Sequence, residues 1–223
     1  MDSLLRRGDI DAARGLVMRM YREPLIAYVR CGGWLDGLKT EPGCDTVDSI
    51  VDGFMLAKIG EERVLRSWSI DRCRFRAWVR IAMQHYLLEL ARRVRQTAVN
   101  RRKHAERTAA AQDQTDDPAE AMDQVLRRTL TREAIVQAGA DAANRGRADE
   151  WRAFLEHEIE HKPLEALDDL VPGTRGRKSA AMRRMRQLLV ESVRSLVAWP
   201  GASDAQIDEE IEWLMGAPRR TPR

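Results

Sequence analysis

The chain lacks the features that would place it in a membrane or outside the cell. No stretch approaches the roughly 18 consecutive apolar residues of a membrane span. The N-terminus, Met1-Asp2-Ser3-Leu4-Leu5-Arg6-Arg7, has no apolar segment followed by a small-residue cleavage site. A cytoplasmic location with no membrane partner is therefore expected. Only three cysteines occur, Cys31, Cys44 and Cys73, and no two form a CxxC pair. Their odd number and wide spacing read as ordinary thiols in a reducing compartment, with a Cys31–Cys44 bridge across the intervening loop left open. Glycine (14) and proline (8) are sparse and β-branched runs are almost absent, which argues against a sheet-rich fold. There is no P-loop, GxSxG or dinucleotide fingerprint, so neither a cofactor nor catalysis is expected.

What is present favours helices. Apolar residues make up 43% of the chain and charged residues 33%. Alanine, leucine, arginine and glutamate dominate, which predicts an all-α protein. A length of 223 residues suits one medium domain or two small ones. Net charge is only +3, but its distribution is uneven. Residues 72–107 hold eleven Arg or Lys against two acidic residues, and residues 175–194 hold seven against one. Two basic helical segments read either as contacts with a polyanion or as solvated helix faces.

The apolar pattern divides the chain. Residues 9–30 form a first helix that Pro24 can bend, and the Gly- and Pro-containing stretch 31–44 forms a loop. Asp45 reads as the cap of a helix over about 46–59 with Val47, Ile50, Val51 and Phe54 inward. After the segment 61–71, a strong helix places Phe75, Trp78, Val79, Ala82, Tyr86 and Leu90 on one face. Periodicity fades over 97–117, the natural linker. Asp117-Pro118-Ala119-Glu120 restarts a helix running to about Ala143. Helices over about 148–161, 163–171 and 177–198 follow, and Ser203-Asp204-Ala205-Gln206 opens a short acidic one.

Four constellations could carry function. Asp45 and Asp48 suit a helix N-terminus, whereas Asp52 lies two turns in and points to a basic partner surface. In the second, Arg72, Arg74, Arg76 and Arg80 interleave with Phe75 and Trp78, followed by Gln84, His85 and Tyr86. Cations and ring faces together suit single-stranded nucleic acid, although the rings also read as core. Arg72, Arg76, Arg80 and Gln84 are expected as an exposed stripe. The third is a helix-turn-helix candidate, with a first helix over 163–171 and a basic second helix. It offers Arg175, Arg177, Lys178, Arg183, Arg184 and Arg186 near its start, with Met182, Met185, Leu188 and Leu189 inward. The fourth, His157-Glu158-Ile159-Glu160-His161, matches the zinc-hydrolase pattern HExxH. Its usual downstream histidine is missing because Pro163 and Leu164 follow, so it is read as a chance match and no metal site is assigned.

The segment Asp45 to Phe54 resembles the "DAEDLVQEVF" helix of extracytoplasmic-function sigma factors. Phe75 to Ala82 resembles their "FRAWLYRIA" segment and ends in the basic Arg92-Arg93. Tyr21 to Tyr28 fits the helix that precedes them, and Arg184-Met185-Arg186 stands where that family carries a similar basic triplet. Val51 replaces the usual glutamine and Gln84 the usual asparagine.

The resemblance implies two helical domains joined by a linker. Residues 1–96 would form a sigma region 2-like bundle, 97–117 the linker and 118–200 a region 4-like helix-turn-helix domain. An acidic helix and a basic tail would follow over 201–223. It further implies core RNA polymerase docking through Asp45, Asp48, Val51 and Asp52. Arg72, Arg74, Arg76, Trp78, Arg80, Gln84, His85, Arg92 and Arg93 would hold the melted −10 strand of promoter DNA. Arg175, Arg177, Lys178, Arg183, Arg184 and Arg186 would meet the −35 element, and an anti-sigma factor is a further implied partner. The alternative is a sigma-like polymerase- or protein-binding regulator without −35 recognition, and a zinc hydrolase at His157, Glu158 and His161 is the distant one.

Overall fold

A computed structural model describes residues 10–60, 74–102, 117–198 and 202–215. Every regular element among them is helical, as composition predicts. In chain order they are α1 (Ile10–Cys31), α2 (Trp34–Leu38), α3 (Val47–Phe54) and α4 (Phe75–Arg102). Then follow α5 (Pro118–Asn144), α6 (Ala148–Glu158), α7 (Arg175–Val197) and α8 (Asp204–Leu214). A π-helical turn, Met55–Ile59, extends α3, and a 3₁₀ turn, Leu164–Leu167, precedes α7. Among the described residues no helix is long and apolar enough to cross a membrane.

The chain divides into two compact units, residues 1–129 with 199–201 and residues 130–198 with 202–223. The division falls within α5. The expected linker lies outside the described residues from 103 to 116, and its first residues continue α4 to Arg102.

In the first unit α1 packs on α3 and its π-helical extension, and α2 packs on α1 and α4. Pro24 sits inside α1 without ending it. Leu25, Val29, Ile50, Val51 and Phe54 are fully enclosed. The stretch 31–44, expected as loop, contains α2, whose Leu38 is buried. The cap of α3 is Thr46, not Asp45. Its side chain accepts the Ser49 amide while the Ser49 hydroxyl accepts the Thr46 amide, closing a reciprocal box that leaves Asp45 exposed. Gly53 is dictated by packing, because a Cβ there would lie 2.7 Å from the Tyr86 hydroxyl. Phe54 and Tyr86 meet edge-on at 5.7 Å.

Along α4 the inward row is Phe75, Val79, Met83, Leu87 and Leu90. Trp78, Ala82 and Tyr86, expected as core, are half-buried at its margin. Cys31 and Cys44 are free thiols, so the bridge between them is not made. Cys44 is buried, and that burial pushes its thiol pKa up.

The second unit is built on α7, against which α6, α8 and the 3₁₀ turn pack. Its core gathers Ala138 and Ala142 of α5, Trp151 and Phe154 of α6, and Met182, Met185 and Leu188 of α7. Small residues on α5 admit the indole of Trp151, and a Cβ at Gly139 would lie 2.7 Å from its Nε1. Two of the sequence signals at helix starts, those of α5 and α8, appear as expected. Asp117 accepts the Ala119 amide at 2.9 Å, and Ser203 and Gln206 cap α8 reciprocally.

Candidate functional site

Three surfaces carry the residues singled out from the sequence. On the first, Asp45, Asp48 and Asp52 are exposed around α3. Arg22 of α1 bridges two of them. Its Nη2 donates to Asp48 Oδ1 at 2.9 Å, and its Nε and Nη2 donate to the Asp52 oxygens at 3.0 and 3.3 Å. The hydrogen bond to Asp52 and then that to Asp48 raise the Arg22 pKa further above its ordinary value. Asp52 therefore has a basic partner inside the chain, which the sequence reading missed. Tyr21-Arg22 stood in the quoted motif, but a pairing across 30 positions leaves no periodic trace. Val51 is 0% exposed and so packs inward instead of facing a partner, a correction to the expected docking set. Leu56, four residues beyond Asp52 on the π-helical turn, is 75% exposed.

The second surface is α4. Arg72 lies outside the described residues. Arg76 is only 9% exposed and pairs with Asp123 of α5 at 3.4 Å, so the expected exposed Arg72–Arg76–Arg80–Gln84 stripe does not form. Phe75 is core, meeting Tyr21 edge-on at 5.5 Å, and Trp78 stacks on it at 5.5 Å. Arg74 and Arg80 are half-buried. The open face carries Ile81, Gln84, His85, Leu88 and Arg92, which recur at helical spacing. Arg93 is exposed beside it and paired with Glu89 at 2.6 Å. Ile81 and Leu88 were the unread signal, since both are apolar and out of phase with the inward row.

The third surface is the start of α7, which begins at Arg175 because Thr174 caps it through the Arg177 amide. Arg175, Arg177 and Arg183 are exposed. Lys178 is not available to a ligand. It is 4% exposed, and its Nζ donates to the Leu164 carbonyl at 2.9 Å and pairs with Asp168 at 2.8 Å. Arg184 forks onto Glu150 of α6 at 3.0 Å, and Arg186 pairs with Glu158. Leu164–Leu167 is a 3₁₀ turn where a first helix over 163–171 was expected, and Leu189 is half-buried.

The HExxH segment does not form one helical turn. α6 stops at Glu158, and His161 lies beyond it with φ 57°, so the two histidines lose their one-turn register. His157 Nδ1 lies 2.7 Å from the Lys162 carbonyl, to which it donates. Lys162 also holds Glu156 at 3.1 Å and pulls that carboxylate below its ordinary range. Among the described residues no group of three or more His, Cys, Asp or Glu is placed to hold a metal ion.

Comparison of the chain with protein-family models, with curated proteins and with solved structures finds no match.

Proposed function

We propose that the chain is a transcription initiation factor of the sigma type, docking on core RNA polymerase through α3 and meeting promoter DNA through α4 and α7. The observation that carries the reading is the face of α3. Asp48 and Asp52 stand one turn apart, with the exposed Leu56 one step further, on a segment whose opposite side is fully buried. Acidic groups around one apolar knob suit a basic helical partner, because charge sets approach and register while the leucine supplies burial. Arg22 neutralises part of that charge and holds both carboxylates in place. The open face of α4 offers Gln84, His85 and Arg92 to a strand, and α7 offers Arg175, Arg177 and Arg183 to a duplex.

One observation favours a second reading, a polymerase-binding regulator without −35 recognition. Lys178, Arg184 and Arg186 are engaged with carboxylates of their own chain. Run-off transcription with core polymerase separates the two. The first reading requires promoter-dependent transcripts, and the second requires polymerase binding without them.

A further inference from the structure

The second unit contains a cavity of about 190 Å³ lined by Arg145, Arg147, Arg184, Gln187, Leu188 and Glu191. It lies on a row of α7, Arg184–Gln187–Leu188–Glu191, and the exposed Arg183 stands one turn from Gln187 at the edge of that row. Two of its arginines flank the αL glycine that ends α5. Gly146 has φ 68°, and the turn is locked by the Gly146 amide on the Ala143 carbonyl and the Arg147 amide on the Ala142 carbonyl. The backbone carrying both guanidinium groups is therefore fixed before any ligand arrives.

The charges around the cavity do not cancel. Arg184 is matched by Glu150, and Glu191 accepts a hydrogen bond from Gln187 at 3.1 Å. Arg145 and Arg147 pair with no carboxylate among the described residues. Arg145 and Arg147 are exposed and line the same recess, and two guanidinium-bearing side chains at one recess suit a phosphate, whose oxygens accept paired N–H bonds. The volume is sufficient for a phosphate and a few further atoms. Glu191 adds a condition, because its carboxylate repels a bare anion and accepts from a hydroxyl. We infer that this cavity binds a small phosphate monoester with a neighbouring hydroxyl, of the sugar-phosphate class, with Arg145 and Arg147 on the phosphate and Glu191 on the hydroxyl. The inference stands apart from the proposed role in transcription.

The test is calorimetric titration of the full-length protein with ribose phosphate, inorganic phosphate and duplex DNA. Wild type, Arg145→Gln/Arg147→Gln and Glu191→Gln are compared, with circular dichroism as the folding control. Ribose phosphate is expected to bind the wild type and to bind the double variant at least about tenfold more weakly. Inorganic phosphate is expected to bind the wild type more weakly than ribose phosphate, and Glu191→Gln is expected to narrow that gap. If the double variant fails to fold, the narrowing in Glu191→Gln decides alone. The inference is overturned if ribose phosphate does not bind at millimolar concentration, or if the preference survives Glu191→Gln. It is also overturned if the arginine pair affects only duplex DNA, which would make these residues a backbone contact.

Discussion

Arg22 and Asp52, 30 positions apart, meet through a two-pronged guanidinium–carboxylate contact that ties α1 to α3. Asp52 is exposed and Arg22 half-buried, so solvent screens the pair and it contributes little to folding. Arg22→Ala is expected to cost no more than about 1 kcal/mol in urea denaturation. The contact's larger effect is on where the carboxylates sit. A loss of several kcal/mol would show that the contact is a fold-holding element instead.

The close approach of Gly53 to Tyr86 gives a sharper stability test. Gly53→Ala drives a methyl group into the Tyr86 hydroxyl, and a cost of about 1–3 kcal/mol is expected. Tyr86→Phe removes the oxygen that is struck, so the double variant is expected to recover much of that loss. Simple additivity in the double-mutant cycle would contradict the packing described.

Lys178 and Arg183 lie five positions apart on the same basic helix, the first enclosed and the second exposed. Lys178→Ala leaves the Leu164 carbonyl without its donor, and a destabilisation of about 1–3 kcal/mol is expected. Arg183→Ala is expected to change stability by less than about 0.5 kcal/mol while weakening binding to duplex DNA and lowering its salt dependence. Thermal melts and salt-titrated binding curves check both.

Burial raises the pKa values of Cys44, Tyr28 and Tyr86 above their ordinary 9.0, 10.0 and 10.0. Each folded site therefore favours the protonated form. The corresponding stability is fully present below those ordinary values and is lost as pH rises through the raised ones. Denaturation midpoints are expected to fall with pH above about 9. Alkylation at mildly alkaline pH, mapped by mass spectrometry, is expected to label Cys31 before Cys44. Equal rates would show that the Cys44 site opens readily.

Helix starts were legible where chemistry is local. Asp117 with Pro118, and Ser203 with Gln206, cap their own next turn, so their meaning lies within four residues. Asp45 misled because Thr46, one step on, makes the reciprocal box with Ser49. Along α4 the apolar residues fall on more than half of the circumference. Two inward rows were thus compatible with the sequence, and packing chose the one through Met83 and Leu87. Arg76 and Lys178 read as surface cations because their neighbours are basic. Asp123, Asp168 and the Leu164 carbonyl, which enclose them, lie 47, 10 and 14 positions away. The second half of HExxH failed for a related reason, since the pattern assumes a helix that ends before His161.

The proposed docking of the acidic face of α3 on RNA polymerase is tested by co-purification of core polymerase with wild type and Asp52→Arg. Asp52 is exposed, so the substitution is expected to leave the circular dichroism spectrum helical while placing a second cation beside Arg22. Wild type is expected to retain polymerase, and the folded Asp52→Arg protein is expected not to. Equal retention by the two proteins, or none by wild type, would contradict that docking.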